Sequence, residues 1–164
     1  MPHPLLILDL DETLIHARDE PWTRVPDLVW ESYHVRFRPF VREFIGSVSR
    51  HFELAVWTSS TADYAAAITE ALLGDMDLRF LWARERCTLR FDPELQGHHW
   101  VKKLSKLRKL GISLDQVLIV DDSPEKLRLN YGNLVPVTPW ETAARPRGNL
   151  PGNEPLGERP DRFQ

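Results

Sequence analysis

The most informative segment of this chain is Leu5-Leu6-Ile7-Leu8-Asp9-Leu10-Asp11-Glu12-Thr13-Leu14, which the other segments are expected to surround. An apolar run of strand length delivers two carboxylates, two residues apart, where a strand is expected to end and a loop to begin. Asp9 and Asp11 would share one face if the extended backbone continued through Leu10, because side chains alternate along a strand. Two anions this close repel, so the pair implies Mg²⁺, a protonated carboxyl, or both. A strand that ends in a solvated acidic turn is the competing interpretation.

Composition bounds the class of protein. The 164 residues are 42% hydrophobic and 27% charged, which fits one domain with a single core. The net charge of −3 and a pI near 6.1 give no global attraction to nucleic acid or to an anionic membrane. Cys87 is the one cysteine, so we expect no internal disulfide, a buried structural thiol and a reducing compartment. No apolar run approaches the roughly 18 residues of a membrane span. Without an N-terminal signal pattern, the chain is expected to be cytoplasmic.

Further apolar runs predict more strands. Residues 52–57 and 116–120 resemble the first strand, and 79–82, 88–91 and 134–137 are shorter candidates. Residues 28–30 and 33–37 predict a small β-flap within about residues 16–38. Gly97-His98-His99 is expected to be a loop rather than a metal site, since no further ligands stand at a suitable spacing.

Helical patterns separate these strands. They cover 39–50, 61–73 and, as a basic amphipathic helix, 101–110. Strands that alternate with helices predict an α/β fold with a central parallel sheet. We expect one domain over residues 1–141 and a Pro- and Gly-rich tail over 142–164.

Polar residues follow the three strongest strands, namely Asp9-x-Asp11, Thr58-Ser59 and Asp121-Asp122. In open α/β sheets ligands bind outside the carboxyl ends of the strands, so these groups should meet in one crevice. A hard divalent cation such as Mg²⁺ is the simplest neutraliser of four carboxylates. Hydroxyls and helix-end amides after the second strand, with an ammonium from Lys102 or Lys103, could bind phosphate oxygens. The chemistry indicated is phosphoryl transfer.

The order and spacing of these motifs resemble those of haloacid-dehalogenase-superfamily phosphatases. Within that superfamily the chain resembles the small phosphatases that act on the RNA polymerase II C-terminal domain. The resemblance covers roughly residues 5 to 141 and rests on Asp9-Leu10-Asp11-Glu12-Thr13-Leu14 with His16, Arg38-Pro39, Trp57-Thr58-Ser59, Tyr64, Arg84-Glu85-x-Cys87, Val101-Lys102-x-Leu104, Asp121-x-Ser123-Pro124, Val135-Pro136-Val137 and Trp140. It implies a Rossmann-like three-layer sandwich with a β-flap and no large cap domain.

The resemblance also implies roles. Asp9 would be the nucleophile that forms an aspartyl-phosphate, and Asp11 the acid and base that serves the leaving oxygen and then water. Mg²⁺ would be held by Asp9, the backbone carbonyl of Asp11 and Asp122, with Asp121 as a direct or indirect ligand. The residues expected to bind substrate are Thr58, Ser59, Tyr64, Arg84 and Lys102. Lys103 is excluded on the expectation that it follows Lys102 on a helix and points about 100° away.

A site without a large cap domain would admit macromolecules, so we expect a phosphoserine or phosphothreonine protein or peptide as the substrate. The chain departs from those phosphatases at Asp19 and Thr61, where they have a pocket for a substrate proline, which argues against a proline-rich polymerase tail. A small-molecule phosphatase, a nucleic-acid-end phosphatase and a catalytically inactive scaffold of the same fold are the alternatives. The oligomeric state is left open.

Overall fold

The computed structural model describes residues 2–141. The strands of this part are, in chain order, β1 Leu5–Leu8, β2 Ile15–Arg18, β3 Leu28–Trp30, β4 Tyr33–Phe37, β5 Glu53–Trp57, β6 Leu78–Trp82, β7 Thr88–Asp92, β8 Gly97–Val101, β9 Val117–Asp121 and β10 Leu134–Pro136. The α-helices are α1 Val41–Val48 and α2 Ala62–Leu73, and 3₁₀ helices cover Arg84–Arg86, Leu104–Leu110, Leu114–Gln116, Pro124–Leu127 and Tyr131–Asn133.

A five-stranded sheet in the order β10-β9-β1-β5-β6 forms the centre, and its strands pair in parallel. All four residues of β1 are buried, because β1 lies between β5 and β9 and both faces of the sheet are covered. Leu6 and Leu8 pack with residues of α1 and α2, whereas Leu5 and Ile7 pack with Leu104, Leu107 and Leu127 on the other face. The predicted parallel α/β sheet is confirmed.

The predicted β-flap is present, with one strand more than expected. β2 and β3 flank β4 in an antiparallel sheet, and β2 follows directly on the loop that carries Asp11. Within residues 2–141 the flap is not accompanied by a cap domain.

Local backbone geometry sets the ends of the two α-helices. Phe40 adopts a left-handed conformation with φ 64°, so α1 begins at Val41 rather than at the predicted residue 39. α2 begins after Thr61 and ends at Gly74, whose φ of 57° suits a residue without Cβ. The predicted helix over 61–73 is confirmed.

Two predictions near Lys102 are wrong. Gly97-His98-His99 is not a loop but the start of β8, which pairs antiparallel with β7. The helix predicted over 101–110 is absent from its first turn, because Val101 ends β8 and Lys103 has extended angles of φ −88° and ψ 98°. Residues 104–110 then form a 3₁₀ helix.

Two further predictions concern the C-terminal tail and membrane-spanning helices. The predicted tail over 142–164 lies outside the described residues. In residues 2–141 no helix combines the length and the apolar character that crossing a membrane requires.

Candidate active site

The site lies at the carboxyl ends of β1, β5 and β9. The N–H of Asp9 donates to the carbonyl of Val120 at 3.0 Å, which places the residue after β1 against β9. The N–H of Thr58 donates to Trp82 at 2.9 Å and fixes the end of β5. Asp121 is the last residue of β9. The structure therefore brings together the three strand ends that the sequence placed in one crevice.

Lys102 binds two of the carboxylates at the centre of the site. Its Nζ lies 2.8 Å from Asp9 Oδ1 and 2.5 Å from Asp121 Oδ2, and the lysine side chain is 0% exposed. Burial disfavours the ammonium, but the charges of Asp121 and Asp9 outweigh burial and raise the pKa of Lys102. Lys102 therefore stays protonated and holds the two aspartates together.

Asp9 is kept ionised by its surroundings. Burial favours the neutral acid, yet the charges of Lys102 and Lys126 and hydrogen bonds from Lys102 and Thr13 hold the pKa of Asp9 below its ordinary value. The hydroxyl of Thr13 donates to Asp9 Oδ2 at 2.9 Å. Asp9 thus presents a fixed carboxylate.

Asp11 lies in the loop after β1 and has the opposite electrostatics. Burial and the charge of Glu12 raise its pKa to about 6, although hydrogen bonds from Ser60 and Tyr64 favour the anion. Ser60 Oγ donates to Asp11 Oδ2 at 2.7 Å, and the Tyr64 hydroxyl donates to Oδ1 at 2.8 Å. Asp11 can therefore hold or release a proton near neutral pH while its carboxyl group keeps one orientation.

Tyr64, which the resemblance assigned to substrate binding, is fully buried. The rings of Trp30 and Tyr33 from the flap pack against it at centroid distances of 5.4 and 6.2 Å. Tyr64 thus lies beneath the flap and binds Asp11, and a direct contact of Tyr64 with substrate stays a prediction. The role that the structure gives Tyr64 is to connect the flap to Asp11.

Three carboxylates are arranged as ligands for a cation. Oxygens of Asp9, Asp121 and Asp122 all lie within 4.8 Å of one another, and the three residues are buried. Burial and the charges of Asp9 and Asp121 raise the pKa of Asp122 to about 7, so a further positive charge beside Asp122 would stabilise the ionised cluster. Carboxylate oxygens are the donors that Mg²⁺ prefers. The donor set and the stabilising effect of a further positive charge thus both fit Mg²⁺.

We expect the stability of the metal-free protein to fall as pH rises from about 4 to 8. The native pKa values of Asp11, about 6, and Asp122, about 7, lie above the ordinary value of 3.8, so in this range the native state binds protons that the unfolded state has released. Their contribution to stability is complete below pH 4 and is lost as pH passes through the native pKa values. Asp9 does not oppose this trend. Its native pKa lies below the ordinary value of 3.8, so its contribution to stability changes only at more acid pH. Melting temperatures in chelator at pH 5 and pH 8 measure the effect.

Mg²⁺ should counteract this loss, so the rise in melting temperature on adding Mg²⁺ should be larger at pH 8 than at pH 5. In Asp122→Asn, which removes one titrating group, the decline with pH should be smaller. An equal effect of Mg²⁺ at both pH values would contradict the assignment of the cluster as a cation site.

The turn after β5 supplies hydroxyls, although its residues differ in access. Thr58 is buried and its Oγ1 accepts the N–H of Ser60 at 3.1 Å, whereas Ser59 is half-buried. The Nε of Arg84 donates to the Ser59 carbonyl at 2.8 Å, so Arg84 stabilises the backbone of the turn. Cys87 donates to the Thr58 carbonyl at 3.6 Å, and burial raises its thiol pKa, in agreement with the expected structural thiol.

Two residues of the site were missed by sequence reasoning. Lys126 lies in the 3₁₀ helix after β9, and its Nζ donates to Ser59 Oγ at 3.0 Å. Ser60, the donor to Asp11, follows two residues that were recognised. The nearest signal for Lys126 was the Asp121-Asp122-Ser123-Pro124 turn that precedes it, but a lysine in such a turn is typical of a solvated surface.

Comparison with known proteins gives a consistent result. A family model described as "NLI interacting factor-like phosphatase" matches residues 4–150. CTD small phosphatase-like protein 1 of Caenorhabditis elegans is 36% identical over 143 residues, which are 82% of this chain and 27% of that protein. Carboxy-terminal domain RNA polymerase II polypeptide A small phosphatase 2 of Homo sapiens is 33% identical over 142 residues, which are 82% of this chain and 49% of that protein. The chain spans half or less of the length of both relatives.

A solved structure shows the same fold. The structure of Fcp1, described as an essential RNA polymerase II CTD phosphatase, matches with a TM-score of 0.64 and 22% identity. The match covers 85% of this chain and 42% of that chain. At this identity the likeness concerns the fold, and it confirms the predicted Rossmann-like α/β architecture.

Proposed function

Because this chain belongs to the NLI interacting factor-like phosphatase family, we propose that it is a Mg²⁺-dependent phosphomonoester hydrolase that acts through a phosphorylated Asp9. The observation that carries the proposal is that the surroundings of two neighbouring carboxylates shift their pKa values in opposite directions. Asp9 is held as an anion by Lys102 at 2.8 Å, and Asp11, with a pKa of about 6, can carry a proton. Nucleophilic catalysis followed by general acid–base catalysis needs this pairing.

The reaction has two steps. A carboxylate oxygen of Asp9 attacks the phosphorus, the bond between phosphorus and the ester oxygen breaks, and Asp11 donates its proton to the leaving oxygen. Asp11 then accepts a proton from a water molecule, whose oxygen attacks the phosphorus and releases inorganic phosphate and the Asp9 carboxylate. Ser60 and Tyr64 hold the Asp11 carboxyl group in one orientation, which supports its use in both proton transfers.

Other residues bind the metal and the phosphoryl group. Asp9, Asp121 and Asp122 would hold Mg²⁺, as the grouping of their oxygens supports, and Mg²⁺ would supply positive charge beside the phosphoryl oxygens. The backbone carbonyl of Asp11 stays a prediction from the resemblance. The Thr58-Ser59 turn and the ammonium of Lys102 would receive the phosphoryl oxygens at the end of β5.

The substrate that we propose is a phosphoserine or phosphothreonine in a protein or peptide. Within residues 2–141 a three-stranded flap rather than a cap domain accompanies the central sheet, and we infer that a macromolecule can approach the strand ends. The names of the two relatives, both small phosphatases of a C-terminal domain, agree with a protein substrate. We further propose a cytoplasmic location, on the single buried cysteine.

A panel of substrates tests this function. With Mg²⁺ present, phosphoserine and phosphothreonine peptides should be hydrolysed with a kcat/KM at least about tenfold higher than nucleotide 5′-phosphates or sugar phosphates. A generic aryl phosphate should also react, and a chelator should remove all activity.

The panel distinguishes the alternatives. A preference for nucleotides or sugar phosphates would show a small-molecule or nucleic-acid-end phosphatase instead. Absence of hydrolysis with every substrate would show a scaffold that keeps the fold without the chemistry. The control is the Asp9→Asn protein, purified in the same way, which reports any contaminating phosphatase.

A further inference from the structure

Lys126 is a second cation at the carboxyl end of the sheet, and its position is linked to that of Lys102. The N–H of Lys102 donates to the Lys126 carbonyl at 2.8 Å, so the backbone holds the two lysines side by side. The Lys126 side chain extends from the segment after β9 to the turn after β5, where Nζ donates to Ser59 Oγ at 3.0 Å. Lys126 therefore spans the crevice in which a phosphoryl group would bind.

The two lysines differ in how many of their N–H groups are already used. Lys102 is fully buried and donates to two carboxylates, at 2.8 and 2.5 Å, which leaves at most one of its three N–H groups for a ligand. Lys126 is half-buried, and across residues 2–141 its Nζ forms no ion pair with a carboxylate. Its donation to Ser59 leaves two N–H groups available.

Lys126 is also charged at neutral pH. Burial disfavours its ammonium, but the nearby charges of Asp9 and Asp121 outweigh burial and raise the pKa of Lys126. The ammonium of Lys126 is stabilised by the charges of these carboxylates but forms no ion pair with them. It can therefore donate a hydrogen bond to an anion without breaking an existing ion pair. A phosphate dianion is such an anion, and hydrogen bonds between ionised groups are the strong ones.

We propose that Lys126 and Ser59 form a second phosphoryl-binding pair of this enzyme, in which Lys126 Nζ donates to a phosphoryl oxygen and Ser59 orients the lysine. Lys102 then serves mainly to hold Asp9 and Asp121 in place. This inference rests on the proposed function, since it adds a binding residue to the same site.

The test compares Lys126→Met with Lys103→Met in the full chain with Mg²⁺. Both changes remove one positive charge from neighbouring parts of the protein, but Lys103 makes no contact with the carboxylates of the site. Lys126→Met should raise the KM for an aryl phosphate and the Kd for inorganic phosphate, measured by calorimetry, by about 10- to 100-fold. Lys103→Met should change either value by less than about twofold.

Two further variants separate binding from a structural role. Lys126→Arg keeps the charge and should recover most of the phosphate affinity. Ser59→Ala should weaken phosphate binding more in the wild-type background than in Lys126→Met, because part of the effect of Ser59 acts through the lysine that it orients. Equal loss of affinity in Lys126→Met and Lys126→Arg, with a matching fall in melting temperature, would overturn the inference.

Phosphate binding and hydrolysis are measured separately, so the two proposals can fail separately. A wild type that hydrolyses the aryl phosphate, with unchanged phosphate affinity in Lys126→Met, would end this inference alone. A wild type that hydrolyses no phosphomonoester would end the proposed function.

Discussion

Asp9→Asn should lower the rate of aryl phosphate hydrolysis by at least about 10³-fold. The amide keeps the shape of the side chain but has no anionic oxygen to attack phosphorus, and it removes the charge that pairs with Lys102 Nζ at 2.8 Å. Steady-state rates at pH 6–7 with saturating Mg²⁺ measure the loss. Asp19→Asn is the matched control, since Asp19 is exposed on the flap and should keep the wild-type rate.

A second measurement links this loss to the covalent intermediate. Beryllofluoride with Mg²⁺ imitates a phosphoryl group on a carboxylate, so it should raise the melting temperature of the wild type. The same addition should leave Asp9→Asn unchanged, because the acceptor oxygen is missing. A variant that hydrolyses the aryl phosphate at the wild-type rate would show that Asp9 is not the nucleophile.

Lys102→Met should reduce both stability and activity. The lysine is 0% exposed and neutralises Asp9 and Asp121, so its removal leaves two buried carboxylates without their cation. Breaking a buried ion pair from one side costs about 3–5 kcal/mol. For a domain of this size that corresponds to a fall in melting temperature of roughly 6–20 °C. Thermal unfolding in chelator measures it, and kcat should fall by at least about 100-fold.

Mg²⁺ and a neighbouring lysine provide the controls for this prediction. Mg²⁺ should restore part of the stability of Lys102→Met, because the metal would neutralise the same carboxylates. Lys103→Met should stay within about 2 °C of the wild type, as exposed or half-exposed substitutions without such contacts usually do. Equal losses of melting temperature in Lys102→Met and Lys103→Met would show that the buried ion pairs of Lys102 do not stabilise the protein.

The central sheet could be predicted from the sequence because its main strands are continuous apolar runs that can be recognised without knowledge of the rest of the fold. The buried strand over residues 5–8 is an uninterrupted apolar run, and the carboxylates that follow it stand at the edge where parallel sheets bind ligands. The same local signal places Thr58 and Asp121 at their strand ends.

The hairpin of β7 and β8 could not be predicted in this way. Gly97–Val101 carries little apolar alternation, and it is a strand because it pairs with Thr88–Asp92. Because this pairing extends to Val101, Lys102 follows a strand and does not lie in the predicted helix. The order of the motifs nevertheless indicates Lys102. Lys103 does not follow it on a helix, so the predicted reason for excluding Lys103 does not apply.

The roles of Tyr64 and Lys126 depend on contacts between distant parts of the chain. Tyr64 reaches Asp11 across 53 positions in sequence, and Lys126 reaches Ser59 across 67. No periodicity of a single segment encodes such a distance. Only the assembled sheet shows that one of these residues is enclosed and the other faces the crevice.

The position of β1 between β5 and β9 also has a consequence for folding. β1, which ends beside the proposed nucleophile Asp9, is synthesised long before β9, so its pairing with Val117–Asp121 requires all the intervening residues to be synthesised. Contacts so far apart in sequence slow folding, and until they form, an apolar strand edge is open to other chains. During translation one edge of β1 therefore stays unpaired until β9 is available, and we expect a nascent chain that stops before residue 117 to need a chaperone.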